Sequence, residues 1–319
     1  MLELDTDLKQ RFKKAARAFK TRLELKPDRW TIRNLITNEK IGYFIKSNRL
    51  TTDELTKIVD KGGICGVDGS TNNGGGSFPY IITLQQAMAK FCNDACEDIL
   101  LSDAFSPFSM EDRISEEEYR TYVKRNLALL EASAAILALE EYKPAILLMD
   151  GSLVRFKIEA PEYWEKLKNK ALEVGTLLVG VVEGISTSII SESLKDELPC
   201  AMTYALDWEM LFGLLDIGEA LVMAHGLFKE GFCTCFLRTS ADPKPIGLDV
   251  PEEQQQYLED LHNLIYTITP KNGRGIPLWL DIIDNEIKIS DKMMDMLIKT
   301  YLGQDYSELI IPKRNKRQR

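Results

Sequence analysis

Two apolar runs in this chain end in the same tripeptide. Residues 64–67 (Ile-Cys-Gly-Val) lead into Asp68-Gly69-Ser70, and residues 145–149 (Ala-Ile-Leu-Leu-Met) lead into Asp150-Gly151-Ser152. The second run is apolar throughout, the pattern of a strand buried on both faces in a helix-covered parallel sheet. In open α/β sheets, ligands bind beyond the carboxyl ends of the strands. Parallel neighbours would bring the two aspartates to one spot. Carboxylates that close repel unless they share a proton or hold a cation, and hard divalent cations favour such oxygen-rich settings. A single Asp-Gly is a common turn dipeptide at a strand end. Its repetition after two apolar runs is what points to a shared site.

A third acid lies between them. Ser115-x-x-Glu118 is a capping box, and the spacing predicts a helix over 116–142, stopped by Pro144. Tyr119, Val123, Leu127, Leu130, Ala134 and Leu137 form its expected core face. Glu131 falls at the edge of that stripe, among Ala128, Ala132, Ala134 and Ala135. The helix runs straight into the strand ending at Asp150, so Glu131 could reach the same sheet end. The plainer alternative is a carboxylate bending out to solvent. Glu183, Asp207, Asp281 and Asp284 also follow or interrupt apolar runs, and each is weak alone.

Strand-like runs recur at 78–84, 177–182, 201–205, 220–224 and 232–237, and helical patterns at 163–175, 252–267 and 291–301. Residues 71–77 read as a Gly/Asn loop and 102–114 as an irregular connection. This alternation predicts an α/β domain over 61–292. A helical, polar region over 1–60 precedes it, and residues 293–319 hold a helix end and a basic tail with five bases in its last seven positions. The opening stretch is basic (Lys9, Arg11, Lys13, Lys14, Arg17, Lys20, Arg22). Phe12, Ala15, Ala16 and Phe19 recur at helical spacing, a stripe expected to dock this helix; a nucleic-acid arm is the other reading.

Composition narrows the function. With 319 residues, 45% hydrophobic, 28% charged and a net charge of −9, the chain is neither disordered nor fibrous, nor a cationic nucleic-acid coat. No apolar run reaches the ~18 residues of a membrane span. The first residues lack a signal-peptide core, so a cytoplasmic location is expected. Six cysteines without a C-x-x-C and two histidines disfavour zinc; the thiols are expected to be buried and reduced. The glycine loop after Asp68 lacks the P-loop lysine, and no G-x-G-x-x-G follows the first strand. Asp68-Gly69-Ser70 superficially matches the phosphate loop of actin-like ATPases, which usually carries one more residue between Asp and Gly.

The order of motifs carries a resemblance. Gly66-Val67-Asp68-Gly69-Ser70 comes first. A helix bearing Arg125 and Glu131 then leads to Leu147-Leu148-Met149-Asp150-Gly151-Ser152-Leu153. Val179-Gly180-Val181-Val182, Asp207-Trp208-Glu209-Met210-Leu211-Phe212, Leu214-Leu215-x-x-Gly218-Glu219, Pro245-Ile246-Gly247-Leu248-Asp249-Val250-Pro251 and Gly275-Ile276-Pro277-Leu278 follow in turn. Over about residues 60–292 this resembles the NurA family of DNA-repair nucleases. The resemblance implies an RNase H-like mixed sheet flanked by helices, with helical N- and C-terminal extensions. It implies a manganese-dependent 5′→3′ exonuclease that also cuts single-stranded DNA. It further implies a homodimer working with a HerA-type hexameric translocase. By position it places the metal-binding and catalytic acids at Asp68, Glu131 and Asp150. It adds Asp284, where the family has His or Asp; Asp284 is preferred to Asp281 because the alignment then needs no gap. The chain departs from the family at Glu183, where a lysine is common. The implied chemistry is two-metal phosphodiester hydrolysis. Asp68 would bridge both ions, Asp150 and Glu131 would hold one each, and Asp284 would complete the second. An oxygen-only site suits Mn²⁺ or Mg²⁺ better than Zn²⁺. The competing readings are a non-catalytic RNase H-like dimer that docks a translocase, and an actin-like ATPase.

Overall fold

The computed structural model describes residues 5–93 and 95–303. Helices α1 (Thr6–Glu24) and α2 (Arg29–Asn38) precede strand β1 (Gly42–Lys46) and α3 (Thr52–Asp60). A meander of β2 (Ile64–Gly75), β3 (Ile81–Phe91) and β4 (Ile99–Phe105) follows. Helix α4 (Glu116–Glu141) crosses to β5 (Ile146–Asp150), and α5 (Leu153–Glu159) and α6 (Pro161–Val174) cross to β6 (Leu177–Val182). Short α7 (Ile189–Ser193) and α8 (Asp207–Leu211) lead to β7 (Glu219–Met223), β8 (Phe232–Arg238) and β9 (Ile246–Pro251). Helices α9 (Leu258–Ile268), α10 (Leu278–Ile287) and α11 (Asp291–Leu302) come last.

The strands form one sheet in the order β1-β7-β8-β9-β6-β5-β2-β3-β4. Only β2–β5 and β5–β6 pair in parallel, the two places where a helical crossover joins the strands. An antiparallel meander followed by crossovers to the far side of its first strand is the RNase H-like arrangement the resemblance implies. Helices cover both faces. Val67, Ala89, Leu147, Met149 and Leu178 pack against Ala128, Ala132 and Ala135 of α4 and Trp164 and Leu167 of α6. Leu148, Val179 and Leu248 face Leu261 and Ile265 of α9 and Leu280 and Ile283 of α10. A third cluster joins Ile32 and Ile36 of α2 to Met210, Leu211, Leu221 and Phe236.

Several local expectations are corrected. The first Asp-Gly-Ser is not a turn: β2 continues through it to Gly75, absorbing most of the expected loop over 71–77. Its partner β3 begins at Ile81 rather than residue 78, and β4 occupies the start of the stretch read as irregular. Residues 201–205 form helical turns rather than a strand. Residues 42–46, within the region read as helical, form an edge strand paired with β7. On α4 the buried face keeps Tyr119 and Ala134 of the expected stripe but is otherwise rotated from it: Ala128, Glu131, Ala132, Ala135 and Ala138 are buried, while Val123, Leu127, Leu130 and Leu137 are only partly so. Small side chains bring this helix close to the sheet, and the leucines fill its flanks.

The stripe on α1 is not docked, with Phe12 and Phe19 exposed at 73% and 74%. Polar ties hold the helix and its end instead: Arg22 donates to both carboxylate oxygens of Glu209 at 3.1 Å, and Lys26 donates to the Phe212 carbonyl at 2.9 Å. Of the cysteines, Cys65, Cys233 and Cys235 are buried as expected, Cys96 is half-buried, and Cys92 and Cys200 are exposed. The basic tail lies outside the described residues. Among those described, no helix is long and apolar enough to cross a membrane.

Where β2 passes under α10 its side chain must be absent. A Cβ on Gly66 would run into Ile283 Cδ1 and stand 3.1 Å from Trp279 Cδ1. Gly66→Ala should therefore cost about 1–3 kcal/mol by overpacking, seen as a lower denaturation midpoint with an unchanged slope. An unaltered midpoint would mean that α10 is not pressed on this strand.

Candidate active site

Parallel pairing sets Val67 opposite Met149, so Asp68 and Asp150 are the next step of the same register. Strands in a sheet lie about 4.8 Å apart and partners in register leave by the same face. Gly66, two residues before Asp68, abuts α10, and Leu148, two before Asp150, belongs to the same layer. Both aspartates therefore point to the α10 side. Asp68 is buried, and its Oδ1 accepts from the Gly69 amide at 2.7 Å. After Asp150 the chain turns sharply at Gly151 (φ 94°), a left-handed conformation that favours glycine, and enters α5.

That turn is anchored from below. Ser152 Oγ donates to Asp249 Oδ2 at 2.7 Å, and Lys229 Nζ donates to both Asp249 oxygens at 2.7 Å. Thr234 Oγ1 adds a bond to Oδ1 at 2.9 Å. Asp249 is wholly buried yet fully partnered, as a buried charge must be.

Glu131 arrives from the opposite face. It lies at the centre of the buried side of α4, not at its edge, and is only 3% exposed; the solvent-facing alternative does not hold. Its carboxylate lies against Gly69, where a Cβ would stand 2.8 Å from Glu131 Cγ and collide with Oε1. The glycine in mid-strand thus makes room for an acid from the far layer. Glu131 Oε2 is ion-paired with Arg155 on α5, a residue the sequence reading did not single out although it lies in the first helical turn after Asp150-Gly151-Ser152.

Asp284 projects from α10 with 55% of its side chain exposed, 4.0 Å from Arg274. The same guanidinium donates to Asp281 at 2.7 and 2.9 Å and to Glu183 at 2.9 Å. Glu183 therefore acts as an acceptor for Arg274. Asp207 lies elsewhere: it accepts from the Ile189 and Ile190 amides and Thr187 Oγ1, fixing the start of α7.

Burial, and after it the crowding of the acids, is felt as raised proton affinity. Burial, with Asp150 second, pushes the Asp68 carboxyl up to about 7. Burial pushes Glu131 up to about 8 despite the opposing pull of Arg155. Asp150 is raised by burial and then by Asp284, whose charge therefore reaches the centre of the group. Among the described residues, no three His, Cys, Asp or Glu side chains are posed closely enough to grip an ion. Glu131 is turned to Arg155, and Asp281 is held by Arg274. The donor chemistry nonetheless fits a hard divalent cation: Asp68, Asp150, Glu131 and Asp284 offer only oxygens, and like charges this close are relieved by a cation. A cavity of about 470 Å³ opens beside Asp150 and Arg155, walled by Val154, Ile185, Phe228 and Phe236.

These shifts set a sign for stability. Asp68 and Glu131 bind protons more tightly folded than unfolded, so their contribution is fully present below pH ~4 and lost as pH rises through about 7 and 8. In chelator, the melting temperature should fall between pH 5.5 and 8.5, and Asp68→Asn should flatten that fall. An equal slope in the variant would show that Asp68 is not under this repulsion.

The geometry can be set beside known proteins. The NurA domain model matches residues 62–289. The crystal structure of the NurA nuclease from Sulfolobus solfataricus superposes with a TM-score of 0.56 at 11% identity, covering 93% of this chain and 96% of that one, a likeness of fold. Human endonuclease V (TM-score 0.38, 12% identity, 81% and 96% covered) and Bacillus subtilis endonuclease V (0.36, 14%, 79% and 87%) are more distant. No curated protein matches the chain. With the domain model spanning well over half of its length, the chain belongs to the NurA domain family.

Proposed function

We propose that this chain is a divalent-metal-dependent DNA nuclease. The observation that carries the reading is the convergence of Asp68, Asp150 and Glu131, from two central strands and a helix, at the carboxyl end of β5. Family membership supplies the substrate class. The finer reading is a manganese enzyme that degrades DNA ends 5′→3′ and cuts single strands, with Mg²⁺ as a substitute. It would act as a homodimer alongside a HerA-type translocase.

Asp68, Asp150, Glu131 and Asp284 would hold the ions. When bound, these supply the charge that activates a water and stabilises the leaving oxygen. The chain's own groups set the stage for that chemistry. Burial of Asp68 and Glu131 keeps both carboxylates in a medium where charge interactions are strong. The Asp249 network fixes the turn that carries Asp150. Asp284, being exposed, is the acid best placed to move as DNA arrives.

Cleavage of 5′- and 3′-labelled single-stranded and duplex DNA in Mn²⁺, Mg²⁺ or EDTA tests the reading. Cutting should require a divalent ion and start from the 5′ end. Asp68→Ala and Asp150→Ala should each reduce it by at least ~100-fold while melting cooperatively in chelator. Asp284→Ala should be milder. Metal-independent cutting would overturn the metal site, and DNA binding with no cutting by a folded protein would overturn the nuclease.

A further inference from the structure

Arg155 is the cation that buried Asp68 and Glu131 and half-buried Asp150 have in common. It sits in the first turn of α5, on the same turn of chain as Asp150, and is ion-paired with Glu131. Its charge also acts on Asp68 and Asp150. Arg274 is already shared among Glu183, Asp281 and Asp284. The two ends of the Arg155 pair differ: the Glu131 side chain is 4% exposed, whereas that of Arg155 is 29% exposed. Arg155 also lines the cavity beside Asp150, and its guanidinium lies 4.7 Å from the Phe156 ring. The carboxylate is thus fixed in the interior and its partner stands at the rim, with open space to move into.

We propose that Arg155 is a built-in counter-ion: it occupies Glu131 in the metal-free protein and is displaced into the adjacent cavity when a divalent cation takes that carboxylate. While the guanidinium stays on Oε2, one of the two oxygens that Glu131 could offer an ion is taken, and a cation brought to that carboxylate would meet the positive charge of Arg155. Once released, the planar fork suits a phosphate of the bound strand, which it can hold in bidentate fashion. Only this last step rests on the nuclease reading. A structural tether between α4 and α5 would use the same ion pair but would not compete with a metal.

The two roles separate in metal binding without DNA. Mn²⁺ titration of the full chain by calorimetry should give a dissociation constant for Arg155→Gln about fivefold or more below that of the native protein, because one repelling unit charge is gone. Arg155→Lys should stay near the native value. The melting temperature of Arg155→Gln in chelator should be lower, and its gain on adding Mn²⁺ larger. DNA cleavage by Arg155→Gln should nevertheless fall, with a raised KM. Unchanged or weaker Mn²⁺ binding in Arg155→Gln would overturn the proposal. Should that variant not fold, the native protein carries the test: the ¹⁵N-arginine signal absent from Arg155→Lys should shift on adding Mg²⁺, and a signal that stays put refutes displacement. A native protein that binds Mn²⁺ with Arg155 in competition but cuts no DNA would sink the nuclease and leave the counter-ion standing.

Discussion

The parallel register of β2 and β5 is the constraint on which the rest of the molecule depends. With Val67 opposite Met149, Asp68 and Asp150 share a face and lie side by side at the carboxyl end of β5. A slip of one residue would send one aspartate to the opposite face, because side chains alternate along a strand. What forbids the slip is hydrophobic. Leu147 and Met149 fill the core under α4 and α6, while Ile146 and Leu148 fill the core on the other side, so a slip would unfit two close-packed cores at once. The site is therefore placed by core packing some way from the acids, and the acids' mutual repulsion works against the fold that gathers them.

Bringing Glu131 to the same spot needs a different device. It belongs to the opposite layer, and a sheet normally separates its two faces. Gly69 removes the barrier at one residue, and the alanines beside Glu131 on α4 let the helix approach closely enough to use the gap. The glycine is thus an element of the site, although its own conformation is ordinary strand. Gly151 does the opposite work, since a left-handed turn ends the strand and swings α5 across the acids.

Much of this was legible in the sequence, and the unread parts have physical reasons. The apolar run before Asp150, the capping box before α4 and the repeated Asp-Gly-Ser are local signals that hold in the fold. The first Asp-Gly-Ser was open to misreading because Asp-Gly has high turn propensity; pairing with β3 on one side, and burial, override it. The rotation of α4 was hidden because large residues define an apolar stripe in sequence, whereas close packing selects small ones. Of the four acids, Asp68, Glu131 and Asp150 are brought together, and Asp284 stands at their margin, within electrostatic range. Arg155 and Arg274 gave no signal, because a lone arginine has no spacing to read.

Charge balance then explains why the acids tolerate one another at all. Arg155 and Arg274 stand against Asp68, Glu131, Asp150, Glu183, Asp281 and Asp284. Two cations cannot neutralise six carboxylates, and the arginines are spent on Glu131 and on the rim, so that among the described residues Asp68 and Asp150 have no ion-pair partner of their own. The raised proton affinities of those two carboxyls express the shortfall, together with their burial. A group buried in that condition is held for something other than stability, since apolar residues in its place would pack without repulsion. The same deficit that weakens the fold provides the driving force for taking up a divalent ion. On the proposed reading it also ranks the acids: those with least compensation, Asp68 and Asp150, would gain most from an ion, and Glu131 would gain only by giving up its arginine.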